Sequence, residues 1–389
     1  MTAPSPTAAH EKMAERADAL GLRRIHVFAF RDLDDEDAGG SEEHASQVCR
    51  HLVAAGREVV LHTGRVRGAA PEVWRDGVRV VRRGGHLGVF GTSVLDERLG
   101  RLGRADGLIE IFHGVPFFAP MWSRLPQVGV VHHVHLGTWD HLLPPPFHRI
   151  GHAVEQHLVP LVYRRRTLLT AAPSARDEIV RHYRVDPERI TVAPHGIDDR
   201  FSPGGARSSQ PLAVAVARLM PQKGISDLIR AFVATRAQVP ALEAVIVGDG
   251  PHRARFEAER RAQGGDGWLR FVGRADDAEL VDWYRRAWVV CSASHREGFG
   301  LTLTEAAACA TPVVATRISG HVDALGDGHG GFLADDVEGL AEAMSRLLLD
   351  DDLRDKMGQA ALEHAEQFRW DTAAAALLDA LCDDAARRR

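Results

Sequence analysis

Two glutamates eight positions apart, Glu297 and Glu305, stand in the stretch SHREGFGLTLTEAAACATPVVAT. Glu297 falls in a glycine-flanked turn and Glu305 inside what reads as a helix. Gly298 and Gly300 permit backbone that a Cβ would obstruct. The apolar run Leu301, Leu303, Ala306, Ala307 and Ala308 reads as a buried helix, and PVVAT after it as a strand. A helix N-terminus presents unpaired N–H groups and the positive end of the helix dipole, so it is an anion site that suits a diphosphate. Glu297, just before that helix, can accept hydrogen bonds from ligand hydroxyls, and Glu305 can accept two from a vicinal diol. The three features together describe a sugar nucleotide: phosphates at the helix end, sugar near Glu297, ribose near Glu305. The same spacing also fits an ordinary loop-to-helix junction with two solvated glutamates.

The elements that must position such a ligand are strands followed by turns. LAVAVARLMPQKGISDLIRAF reads as a buried strand, a turn and an amphipathic helix with Ile225, Leu228, Ile229 and Phe232 inward. Arg218 and Lys223 flank the turn, where two cations beside a helix N-terminus would neutralise a leaving diphosphate; the alternative is a solvated turn. Only three of the 48 basic residues are lysine, which makes Lys223 conspicuous. LEAVIVGDGP and LRFVGRADD supply two more strand-to-turn transitions, at Gly248 and at Val272. Nearer the start, residues 23–30 read as a strand, followed by an acidic loop, the glycine pair Gly39-Gly40, and a helix for which Ser41 is the expected N-cap. Strand, glycine pair and helix is the layout of a phosphate-binding turn, although tight turns need such a pair as often. Asp32 and Asp34 have the spacing of a metal-diphosphate site, against the commoner reading of a solvated acidic loop. GLIEIFHG and VGVVHHVH read as strands apolar throughout, as in a parallel sheet buried on both faces. The second ends in His132, His133 and His135, where the carboxyl end of a parallel strand faces the ligand crevice. Satisfied structural histidines are the alternative, and with no cysteine nearby the spacing fits no common zinc site.

EGFGLTLTE resembles the E-x7-E signature of retaining glycosyltransferases of the GT-B fold, the group 1 or family 4 class. ARLMPQKG is similar to that family's phosphate-binding R-x4-K pair, and GGSEEH to its opening turn. The resemblance runs through nearly the whole chain. It implies a nucleotide diphosphate sugar as donor, retention at the anomeric carbon by front-face attack, and no metal or other cofactor. Glu297, Arg218, Lys223 and His133 would be catalytic, His133 reaching the transferred sugar. Gly39, Gly40, Gly248, Val272, Gly298, Phe299, Gly300, Leu301 and Glu305 would line the donor site with Arg218 and Lys223. Ser41, Glu42, His132 and Trp139 would meet the acceptor. RITVAPHGIDD departs from the pattern, since the family usually has Asn where this chain has His195.

Two successive runs of alternating strands and helices imply an α/β architecture of two doubly wound parallel domains facing a cleft. The expected division is a disordered segment over 1–20, an acceptor-side domain over 21–203, a donor domain over 204–367, and over 368–389 a helix crossing back at FRWD. The length suffices for two such cores. A net charge of −5 gives no reason to expect nucleic acid. The four cysteines lie far apart in no ligand pattern, the first twenty residues lack an apolar signal core, and no run reaches a membrane span. The expected setting is therefore the cytoplasm, with a small-molecule, natural-product or lipid acceptor. The basic text between 71 and 104 leaves peripheral membrane association open, and the oligomeric state stays open. A nucleotide-sugar epimerase or hydrolase remains an alternative, as does, less favourably, an NAD-dependent oxidoreductase, since neither first turn carries G-x-G-x-x-G.

Overall fold

Strand residues of the first half alternate between two buried faces, and this requires helices on both sides of the sheet. In the strand β1 (Arg24–Phe28), Ile25 and Val27 join one core while His26 and Phe28 point to the other face, and all four are buried. The computed structural model describes residues 7–85, 87–136, 139, 147–326 and 328–389. The chain divides into two units, one of residues 1–196 and 370–389, the other of residues 197–369.

The first unit holds β1, β2 (Glu58–Thr63), β3 (Glu72–Arg75), β4 (Val78–Arg82), β5 (Gly107–Ile111), β6 (Gln127–Val130), β7 (Leu168–Thr170) and β8 (Ile190–Val192). The sheet order is β3-β4-β2-β1-β5-β6-β7-β8, and only the β3–β4 pair is antiparallel. One face is covered by the helix Gly40–Ala54, through Ala45, Val48, Cys49 and Leu52, and by the helix Trp370–Arg388, through Ala374, Leu377, Leu378 and Leu381. Residues 8–20, expected to be disordered, instead form the helix Ala8–Leu20. It buries Met13 and Ala17 in the same core and packs on the helix Trp370–Arg388. Few apolar residues in a charged stretch suffice here because they fall on one face. Pro160 interrupts the long helical stretch that begins at Phe147. Lacking an N–H and crowding the preceding turn, it is accommodated by the π-helical turn Val154–Leu158.

The second unit holds β9 (Leu212–Val216), β10 (Glu243–Val247), β11 (Leu269–Gly273), β12 (Val289–Ser292), β13 (Val313–Thr316) and β14 (Gly331–Ala334), all parallel in the order β11-β10-β9-β12-β13-β14. Ala213, Ala215, Ala244 and Ile246 face one core, and Leu212, Val214, Val245 and Val247 the other. Ile225, Leu228, Ile229 and Phe232 are buried as their spacing predicts. The chain leaves the first unit after Gly196, ahead of the Pro203-Gly204-Gly205 turn, because Ile197 already pairs with Arg369 and donates its N–H to the Phe368 carbonyl at 3.0 Å. It returns between Arg369 and Trp370, inside FRWD. Among the described residues no helix is long and apolar enough to cross a membrane.

Candidate functional site

In the second unit β9 and β12 are neighbours, yet the chain runs from β9 to β10 on one side and from β12 to β13 on the other. At such a switch point the loops leaving the two carboxyl ends diverge and open a crevice. Both loops carry the residues singled out above. After β9 come Arg218, the 3-10 turn Pro221–Lys223, Gly224 and the helix Ile225–Gln238. After β12 come Ser294, Glu297, Gly300 and the helix Leu301–Ala308. The loops meet at backbone distance: His295 N–H donates to the Gln222 carbonyl at 2.9 Å, and its ring Nε2 lies 2.7 Å from Asp227 Oδ2. Gly224 has φ +61°, and a Cβ there would lie 1.9 Å from the Ala293 carbonyl oxygen, so only glycine lets the loops approach this closely.

Lys223 Nζ lies 2.5 Å from Glu297 Oε1, which also accepts from Ser294 Oγ at 2.8 Å. Burial pushes the Glu297 carboxyl up, but the Lys223 charge and hydrogen bond, with His321 and Ser294, outweigh it and hold the group below its ordinary range. Burial is the chief cause that lowers the pKa of His321, which lies beneath the turn, and the Glu297 carboxylate opposes it. Its Nδ1 is 2.9 Å from the Thr316 carbonyl, an acceptor only, so Nδ1 carries the proton and Nε2, 3.3 Å from Ser292 Oγ, accepts. Glu305 Oε2 accepts from the fully buried Tyr284 hydroxyl at 2.8 Å, which fixes that carboxylate from below. Gly300, at φ +98°, caps the helix that carries Glu305. Arg218 is exposed in the β9 loop.

In the first unit the corresponding switch lies at β1 and β5. His133, just beyond β6, is half-buried and stacks on His135 at 4.2 Å. His132 turns the other way, edge-on to His44 at 4.9 Å and tilted against His195 at 5.2 Å. The helix after the glycine pair starts at Gly40. Its N-cap is Gly39, whose N–H donates to Glu42 Oε2 at 2.8 Å, and not Ser41. Burial raises the Glu42 pKa, with the Gly39 hydrogen bond opposing.

The model of glycosyl transferases group 1 matches residues 197–364, and that of glycosyltransferase family 4 matches residues 38–201. The D-inositol 3-phosphate glycosyltransferase of Corynebacterium diphtheriae is 36% identical over 407 residues, covering 94% of this chain and 95% of that one. The chain belongs to the group 1 glycosyltransferases. Sucrose-phosphate synthase from Thermosynechococcus elongatus shares the fold of this glycosyltransferase at TM-score 0.75 and 20% identity, over 90% of this chain and 96% of that one. Anabaena HepE in complex with UDP and glucose does so at TM-score 0.70 and 17% identity, over 90% and 97%. The glycosyltransferase thus has the GT-B fold, built from its two Rossmann-like sheets.

Several expected contacts of this glycosyltransferase change. Phe299 is a core residue, 4% exposed and edge-on to Phe368 at 5.4 Å, so only its backbone can face a ligand. Gly248 donates its N–H to the Gly273 carbonyl at 2.7 Å, which spends that donor inside the protein, whereas Val272 is half-exposed at the end of β11. Glu42 is buried as a helix cap. Trp139 is buried as well, donating its indole N–H to Glu155 Oε2 at 2.6 Å. Glu155 also accepts from His135 N–H at 2.6 Å and from the Tyr183 hydroxyl at 2.7 Å, so Trp139 braces the loop after β6 instead of presenting a ring to the acceptor. Residues 140–146, which follow Trp139, lie outside the described residues. The Asp32 and Asp34 carboxylates are met by Arg75 and Arg82, with Arg82 Nη2 3.0 Å from Asp32 Oδ1, so this pair is an ion-pair cluster. Sequence reasoning missed Ser294, His321 and Tyr284. Ser294 alone carried a signal, its place three residues before Glu297.

Proposed function

We propose that this glycosyltransferase moves a hexosyl-type group from a UDP- or GDP-sugar to a hydroxyl of a small acceptor with retention of anomeric configuration. The observation that carries the reading is the Lys223–Glu297 pair at the β9/β12 switch point, preformed beside the start of the helix Leu301–Ala308. An incoming diphosphate competes with Glu297 for the Lys223 ammonium. That exchange places the cation on the phosphate and leaves the Glu297 carboxylate to accept from sugar hydroxyls. Arg218 and the first-turn N–H groups of Leu301 and Thr302 share the phosphate charge, so the protein's own cations do what a metal would otherwise do. Glu305, fixed by Tyr284, accepts from the ribose diol. In the reaction the bond between the anomeric carbon and the phosphate oxygen breaks, the acceptor oxygen bonds to the same face, and the acceptor's proton passes to the leaving phosphate oxygen. The relatives' name points to a phosphorylated inositol as the first acceptor to test, and the four free, buried cysteines suit a cytoplasmic setting.

Purified protein incubated with UDP- and GDP-sugars, with and without an inositol phosphate, tests this by mass shift of the acceptor. Acceptor-dependent donor consumption with a hexosyl mass increment is the expected result. Equal consumption without acceptor indicates a hydrolase or epimerase and overturns the reading.

A further inference from the structure

We propose that His44, His132 and His195 form a binding site for one divalent transition-metal ion of the zinc class. Three elements distant in sequence supply them: the first turns of the helix Gly40–Ala54, the segment just after β6, and the segment just after β8. One ring nitrogen of each lies within 4.8 Å of those of the other two. A tetrahedral ion with Zn–N bonds of about 2.0–2.1 Å holds its nitrogens roughly 3.3 Å apart, so small rotations of the rings close the set. The rings already suit this. None of the three pairs is stacked: the interplanar angles are 89°, 68° and 45°.

The environment points to a ligand. His44 is 2% exposed, and its Nδ1 is buried with no hydrogen-bond partner, as is His132 Nε2. Burying an imidazole nitrogen without a partner is unfavourable, and a metal bond at these two atoms would satisfy both. Burial lowers the pKa of all three, for His132 to about 4, so each ring is a neutral imidazole at physiological pH, the form that ligates. Trp370 closes the side formed by His44 and His195, at 5.8 and 5.9 Å. His132 is only half-buried and leaves a way in. Three imidazoles favour zinc, copper, nickel or cobalt over magnesium or calcium. They also leave a fourth position for water or a ligand oxygen, at the end of the sheet where an acceptor hydroxyl or phosphate would arrive. His195 occupies the place where the resembling family usually has Asn, so the third ligand departs from the usual residue there.

Titration of Co2+ into the chelator-treated full-length protein tests the site by visible d–d absorption, with elemental analysis after dialysis against Zn2+. Expected are one Co2+ per chain, displacement by Zn2+, and binding at least tenfold weaker in His195→Asn and in His44→Gln. No uptake, or equal uptake by the wild type and both variants (an adventitious metal on surface histidines only), overturns the proposal. Melting temperature and far-UV circular dichroism confirm that the variants fold. His195→Asn introduces the residue usual at this place in the family, so it decides the question alone if His44→Gln does not fold.

Discussion

Lys223 is one of three lysines in a chain of arginines, and it is the one that meets Glu297. Replacing it by alanine leaves a part-buried carboxylate unpaired and removes a phosphate cation, so Lys223→Ala is expected to lose at least about a hundredfold in transfer rate (about 3 kcal/mol) with the fold retained. Glu297→Gln keeps the shape and removes the charge, and a comparable loss is expected; full activity in either variant contradicts the assignment. Because the Glu297 pKa is depressed, the group is ionised below the ordinary carboxylate value of 4.5. The pair's contribution to stability is therefore present above the unfolded value and is lost as pH falls through the lower folded one. An acid limb of activity from this group should lie below pH 4.5, and a limb above it identifies another group. At this scale the sequence made the charged residues legible by type and scarcity. The residues that hold them were not legible: Tyr284 and His321 come from other helices, and nothing in their local spacing announces a buried hydroxyl or ring beneath Glu305 and Glu297.

Helix starts and loop contacts decide where these side chains go. Gly224→Ala forces a left-handed backbone on a residue with a Cβ, about 1–2 kcal/mol, and drives that Cβ into the Ala293 carbonyl. It should lower the melting temperature and weaken donor binding together, whereas a neutral effect on both contradicts the loop contact. A second element-scale test lies under the first unit. Glu110 on β5 accepts from the Tyr163 hydroxyl at 2.8 Å and is fully buried, and burial raises its pKa to about 7 despite those hydrogen bonds. The folded state therefore holds this proton more tightly than the unfolded one. Stability from the group is fully present below about pH 4.5, falls as pH rises to about 7, and is level beyond, on the order of 3 kcal/mol in total. Glu110→Gln keeps an acceptor for Tyr163 and should flatten that decline in chemical denaturation across pH; an unchanged decline assigns it elsewhere. Strands such as LAVAV and the helix with Ile225 and Phe232 inward were readable because both faces of a parallel sheet are apolar. The helix Ala8–Leu20 was not, because Met13 and Ala17 gain burial only against the helix Trp370–Arg388, at the other end of the chain.

Two sheets, each with a switch point, were legible from two successive strand-and-helix runs, and the family matches over 38–201 and 197–364 follow the same division. The histidine cluster was not legible, because His44, His132 and His195 share no sequence spacing and only the folded first unit assembles them. The central claim, that the β9/β12 switch point of the second unit is the donor diphosphate site, belongs to the whole molecule because the loops at that crevice exist only once the sheet is ordered. Calorimetric titration of UDP and GDP into the wild type and Lys223→Ala tests it most directly. One of the two nucleotides should bind at one per chain to the wild type and at least tenfold more weakly to the folded variant; equal affinity for both proteins would contradict the account.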